Sequence, residues 1–99
     1  MLSLSDSMNH LNLSEQRQQY IWQFSGNHGT WFDYKKRRGT DTECSVSSQE
    51  IESEYLQNQQ SSVIFYVGNS KYKLDFSAMI QTNLSTGTTR TVRRIPFSP

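Results

Sequence analysis

Residues 62–76, SVIFYVGNSKYKLDF, leave this chain little choice of fold. A run rich in β-branched and aromatic side chains meets Gly68-Asn69, a two-residue turn with glycine at its first central position, and a second run follows at once. So short a loop dictates the register, setting Val67 opposite Ser70, Phe65 opposite Tyr72 and Val63 opposite Leu74. Those side chains share a face with Phe76, while Ile64, Tyr66, Lys71 and Lys73 take the other. An antiparallel sheet with one apolar, inward face follows, and that face carries Tyr72.

The rest of the chain supplies partners for this hairpin. Tyr20, Trp22 and Phe24 alternate with Ile21 and Gln23, SGNHG provides turn residues, and residues 30–34 return, which is a second hairpin pattern. Ser47 with Glu50 three positions later forms a capping box, and Val46 is placed to pack on Ile51 as a hydrophobic staple. Ile51 and Tyr55 then lie one turn apart on one face, so a helix of about three turns over residues 48–58 is expected. A final pair of strands runs over 78–84 and 89–94 around Ser85-Thr86-Gly87-Thr88. A four-residue loop sets Asn83 opposite Arg90 and Gln81 opposite Val92, whereas a three-residue loop sets Thr82 opposite Arg90. Pro96 and Pro99, which lack a backbone donor, are expected to end the strand run.

Composition narrows the function classes. At 99 residues there is room for one small domain with one core and one site, and the 12% of aromatic residues suffices to build that core. A formal charge of +1 lacks the excess of Lys and Arg expected of a nucleic-acid-binding module. Cys44 is the only cysteine, so no disulfide forms within the chain, and an intracellular setting, nucleus or cytoplasm, is expected. No stretch approaches the roughly 20 apolar residues of a membrane helix, and the start has no signal-peptide pattern. His10, His28 and Cys44 are too few and too scattered for a metal site, and Cys44 has no histidine at a recognisable position to make it a nucleophile. With no glycine-rich phosphate loop either, neither catalysis nor a cofactor is expected. Residues 1–15 read as a flexible leader, 16–97 as the domain and 98–99 as a tail.

On burial preference alone, Trp22, Phe24, Trp31 and Tyr72 read as core or half-buried sheet residues, and Trp22 is assigned to the core. Gln81 on a strand either satisfies a backbone group or reads a ligand. Arg90, Arg93 and Arg94 either form a solvated edge that discourages strand-to-strand aggregation or supply charge to an anion. The basic run at 35–39, KKRRG, is a solvated loop or a contact patch for import factors or RNA.

Four segments occur in a telling order: WQFSGNHGTW, a capped helix containing IESEY, YKLDFSAMIQ, and the ending TGTTRTVRRIPF. Together they cover about residues 18–97 and resemble the WWE domain, closest to those of poly-ADP-ribose-polymerase-like mono-ADP-ribosyltransferases and their zinc-finger relatives. The resemblance implies a non-catalytic module that recognises ADP-ribose, poly-ADP-ribose or ADP-ribosylated proteins, within a larger ADP-ribosyltransferase-like chain. The fold expected is α+β: a strongly curved antiparallel sheet of about six strands, a half-barrel, packed on one short helix.

Carried over to this chain, the family's ligand positions fall on Phe24, Trp31, Tyr72, Gln81 and Arg90. Each suits such a ligand. Aromatic rings stack on adenine, an amide pairs with a base edge, and a guanidinium meets phosphate oxygens. Relatives that grip internal poly-ADP-ribose linkages have a tyrosine where Phe24 stands, a basic residue where Asn27 stands, and another basic residue beyond position 99. With a hydroxyl and two charges missing, the resemblance implies a terminal or single ADP-ribose unit. Adenine and phosphates are common to ATP, so the second ribose is the deciding part. The alternative is a protein-interaction module that uses its aromatic surface and the loop at 35–38.

Overall fold

The computed structural model describes residues 18–36 and 44–97. The expected leader, the tail and most of the KKRRG loop lie outside the described residues. Six strands, β1 (Gln19–Ser25), β2 (Trp31–Asp33), β3 (Ser62–Val67), β4 (Ser70–Asp75), β5 (Ile80–Asn83) and β6 (Thr89–Phe97), form one sheet in the order β2-β1-β6-β5-β4-β3. Every neighbouring pair is antiparallel. The sheet is a half-barrel, and the helix α1 (Ser48–Gln57) packs against β1, which makes the α+β fold expected from the sequence.

The β3–β4 register is the one dictated by Gly68-Asn69, with Val67 opposite Ser70, Phe65 opposite Tyr72 and Val63 opposite Leu74. Its inward face carries Phe65 and Leu74 into a buried core shared with Trp22, Tyr34, Cys44, Ile51, Phe76 and Val92. The capping box is present: the Glu50 amide donates to Ser47 Oγ and the Ser47 amide donates to Glu50 Oε1. It fixes where α1 begins and stabilises that end by about 1 kcal/mol. Ser48 Oγ then bonds the Trp22 backbone in both directions, tying the first turn of α1 to the middle of β1.

Expectations about β5 and about Pro96 need correction. The β5–β6 register sets Gln81 opposite Arg90, two residues from the four-residue alternative, because the loop is Leu84–Gly87 rather than residues 85–88. Its last residue takes a left-handed conformation, φ 80° at Gly87, and the Gly87 amide donates to the Asn83 carbonyl. Glycine is favoured there, so Gly87 closes the loop and draws the register with it. The β4–β5 loop repeats the same form, which is why β5 starts at Ile80 and not at Ala78. Met79 is left-handed at φ 55°, its amide donates to the Asp75 carbonyl, and Asp75 Oδ1 accepts from Ser77 and Ala78 as Asn83 Oδ1 does from Ser85 and Thr86.

The second correction concerns Pro96, which does not stop the strand: β6 continues through it to Phe97, with Pro96 opposite Tyr20. Past Val92, β6 is paired only with β1, and an edge position accepts the missing donor.

Candidate functional site

Residues at two-position spacing along β6 face inward and divide the concave side into zones. Arg94 meets α1 through Glu52, Val92 is in the core, and Arg90 opens onto a cleft. Arg90 and Arg94 are about 14 Å apart along the strand, so α1 fills one end of the half-barrel and the cleft occupies the other.

The cleft has a volume of about 610 Å³ and is lined by Phe24 and Phe32, by Tyr72 across the sheet, by Gln81 at its floor, and by Arg90, Asn27 and the polar residues Asn83, Thr86 and Thr88 around its mouth. Phe24 on β1 and Tyr72 on β4 are separated by β6 and β5, which is three strand spacings or about 14 Å along a flat sheet. Only the curvature of the half-barrel lets both line one cleft. Tyr72 is held by a stacked contact with Phe65, centroids 5.4 Å apart, and Phe24 by contacts with Tyr34 at 5.0 Å and Phe32 at 5.6 Å. Aromatic walls set by neighbouring rings lose little freedom when a flat ligand enters.

Gln81 is the one buried polar residue among the described ones, with 5% of its surface exposed. Its Oε1 accepts a short hydrogen bond from the Tyr34 hydroxyl. Burial pushes the Tyr34 phenol far above its ordinary value, with Cys44 adding to the shift, so the hydroxyl remains a neutral donor. Arg90 Nη1 donates to Asn27 Oδ1 at 3.0 Å. Among the described residues it has no carboxylate partner. A guanidinium without a counter-charge at the mouth of a cleft is suited to an anion.

Four of the five sequence-derived positions, Phe24, Tyr72, Gln81 and Arg90, come together in this cleft. Trp31 does not. It pairs with Ser25 and lies under the Arg93 guanidinium, 4.0 Å from ring centroid to Cζ, on the face of Gln23 and Asp33. Phe32 takes the inward place because it stands opposite Phe24, a consequence of the hairpin loop that two-residue periodicity alone could have indicated. Asn27 and Gly26 also line the cleft, and a Cβ on Gly26 would stand 2.3 Å from Phe32 Cε2. Nothing in the local sequence marks Tyr34 as the partner of Gln81.

Arg93 and Arg94 are likewise not in the cleft. Arg93 bonds Gln23 and covers Trp31, while Arg94 is paired with Glu52 and lies over Tyr20. A second hollow, about 750 Å³, runs between α1 and β1 and is lined in part by Tyr20, Lys35, Lys36, Leu56 and Phe97. Among the described residues, no helix is long and apolar enough to cross a membrane.

Residues 20–94 match the family model described as the WWE domain. The chain is 38% identical over 80 residues to the protein mono-ADP-ribosyltransferase PARP11 of Homo sapiens, an alignment covering 81% of this chain and 23% of that protein. It is 34% identical over 84 residues to the protein mono-ADP-ribosyltransferase PARP12 of Homo sapiens, covering 78% of this chain and 12% of that one. With the zinc finger CCCH-type antiviral protein 1 of Rattus norvegicus it shares 30% identity over 77 residues, 78% of this chain and 10% of the relative. The chain therefore spans less than a quarter of the length of these curated relatives.

Proposed function

The chain belongs to the WWE family, and from that premise we propose that it is a non-catalytic reader of ADP-ribose, taking the terminal unit of poly-ADP-ribose or a single unit on a modified protein. One observation carries the reading: a buried amide, Gln81, shares a cleft with two aromatic rings braced by a common chain of ring contacts and with an arginine that has no carboxylate partner among the described residues. Adenine is a flat surface with a polar edge, and the diphosphate is an anion, so the three kinds of group match the three parts of one ligand. Phe24 offers no hydroxyl and Asn27 no charge, which favours a terminal unit over an internal linkage. Affinity is modest, since a cleft of this size desolvates few ligand atoms.

Titration calorimetry of the 99-residue chain with ADP-ribose, iso-ADP-ribose and ATP in parallel tests this. Preference for ADP-ribose, lost in Gln81→Ala and Arg90→Ala with melting intact, supports a terminal-unit reader. Preference for iso-ADP-ribose shows that internal linkages are read, and silence from all three sinks the proposal.

A second reading, a protein-interaction module, draws on the other hollow. Leu56 is 56% and Phe97 41% exposed there, apolar side chains rimmed by the ion pairs Lys35–Asp33 and Lys36–Glu50. It becomes the first reading if no nucleotide binds.

A further inference from the structure

We infer that Tyr34 is a positioning residue for the cleft: its hydroxyl holds the Gln81 amide in one of its two orientations, so that the cleft receives an N–H₂ donor and reads an acceptor nitrogen of the ligand's base. The inference rests on the ADP-ribose reading for the identity of the ligand, and on the free protein alone for the direction of the amide.

A glutamine amide has an oxygen end and a nitrogen end of nearly equal shape, so the hydrogen-bonding partners decide which way it faces. Here the deciding partner is a phenol that is 2% exposed. A buried hydroxyl needs an acceptor for its proton, and among the described residues Gln81 Oε1 is the only acceptor that Tyr34 meets through that proton. With the amide reversed, two donors would face each other unless the phenol proton were left unpaired, which costs more than the bond it replaces. The protonated state is secure, because burial keeps the phenol from ionising.

The surroundings agree. Tyr34 does not line the cleft but borders a separate small hollow with Phe24 and Cys44, while Gln81 itself lines the cleft. Among the described residues Gln81 Nε2 has no acceptor, and it is not a sealed, unsatisfied donor, so it is open to the cleft. The oxygen is anchored behind and the nitrogen is presented in front. Tyr34 is itself braced by Phe24 at 5.0 Å and by Phe65 at 5.5 Å, rings from β1 and β3, strands that are not neighbours in the sheet, so the phenol is held from two sides.

Neutron diffraction from deuterated crystals of the free chain is the first test. The expected map has the Tyr34 deuteron directed at Gln81 and the amide deuterons toward the cleft; amide deuterons against Tyr34 overturn the inference. The second test is calorimetry with ADP-ribose and its 1-deaza, 3-deaza and 7-deaza adenine analogues, on the native chain and on Tyr34→Phe. One analogue should bind the native chain about tenfold more weakly, the size of one lost hydrogen bond. In Tyr34→Phe, which keeps the ring contacts, ADP-ribose should weaken and that discrimination should shrink to about threefold or less. Equal binding of all four ligands by the native chain, or undiminished discrimination in Tyr34→Phe, overturns the positioning role while leaving ADP-ribose recognition standing. If Tyr34→Phe does not fold, the neutron map and the native panel decide. If ADP-ribose itself does not bind, the functional reading fails, and the neutron map alone judges the amide.

Discussion

Arg94 grips Glu52 with two hydrogen bonds, Nε to Oε1 at 2.8 Å and Nη2 to Oε2 at 2.6 Å, while the Trp22 indole donates to the same Oε1 at 2.8 Å. The guanidinium lies 3.6 Å over the Tyr20 ring, so β1, β6 and α1 meet at one carboxylate. Glu52→Ala strands a half-buried arginine and a buried indole N–H, and is expected to cost about 2 kcal/mol. For a domain of this size that lowers the melting temperature by about 8–16 °C. Calorimetric melting is the check, and a change of a degree or two would mean the cluster adds no net stability.

The same carboxylate confers an acid sensitivity. The Arg94 hydrogen bonds, opposed by burial and helped by Trp22, hold the Glu52 carboxyl below the ordinary range. A group depressed in the folded state stabilises above its unfolded value, about 4.3, and loses that contribution as pH falls through its folded value. Stability measured by urea should therefore fall more steeply below about pH 4.3 in the native chain than in Glu52→Gln. Parallel pH profiles would rule out the linkage.

The paired loops around β5 make a backbone prediction. Nothing lies within 4 Å of a Cβ added at Gly87, so Gly87→Ala isolates the conformational cost of φ 80°. A loss of about 1 kcal/mol is expected. Asp75→Ala and Asn83→Ala, each removing two side-chain hydrogen bonds to the following amides, should cost about 1 kcal/mol apiece. Urea unfolding of the three variants measures this directly.

At the cleft, Gly26→Ala drives a methyl into the Phe32 ring, which must swing from its place. Phe32 is 41% exposed, so the ring has somewhere to go and stability should change by less than about 1 kcal/mol. Binding should suffer more, by roughly fivefold or greater, an expectation of about 1 kcal/mol in affinity. The double variant with Phe32→Ala separates displacement of the ring from a direct effect of the methyl: it should not clash.

Arg90 and Arg93 offer a contrast between two cations on one strand. Arg90→Ala should lower ADP-ribose affinity about tenfold and flatten its salt dependence. Arg93→Ala should leave both unchanged, since its guanidinium is spent on Trp31 and Gln23. Titrations at two salt concentrations distinguish them, and equal losses would count against the cleft.

The β3–β4 hairpin and α1 were legible in the sequence because their signals are local: a two-residue turn, a capping box, and apolar residues one turn apart. The β5–β6 pairing was not legible, since the two loop lengths put Arg90 on different sides and the conformation needed at Gly87, rather than loop length alone, sets the register. Of the cleft, Phe24, Tyr72, Gln81 and Arg90 were legible through family resemblance. Trp31, carried over with the family's positions, does not line the cleft, and Phe32, which stands opposite Phe24, was not among those positions. Tyr34 and Gln81 are 47 residues apart in the chain, and only closure of the half-barrel brings them into contact.

Trp31 on the outer face and Trp22 in the core have an optical consequence. One indole is under a cation and the other is fully enclosed, 0% exposed, with neither lining the cleft. Intrinsic tryptophan emission will thus follow unfolding closely and a bound nucleotide hardly at all. A flat emission trace during titration says nothing against binding, and a probe placed beside Tyr72 is the one that can see it.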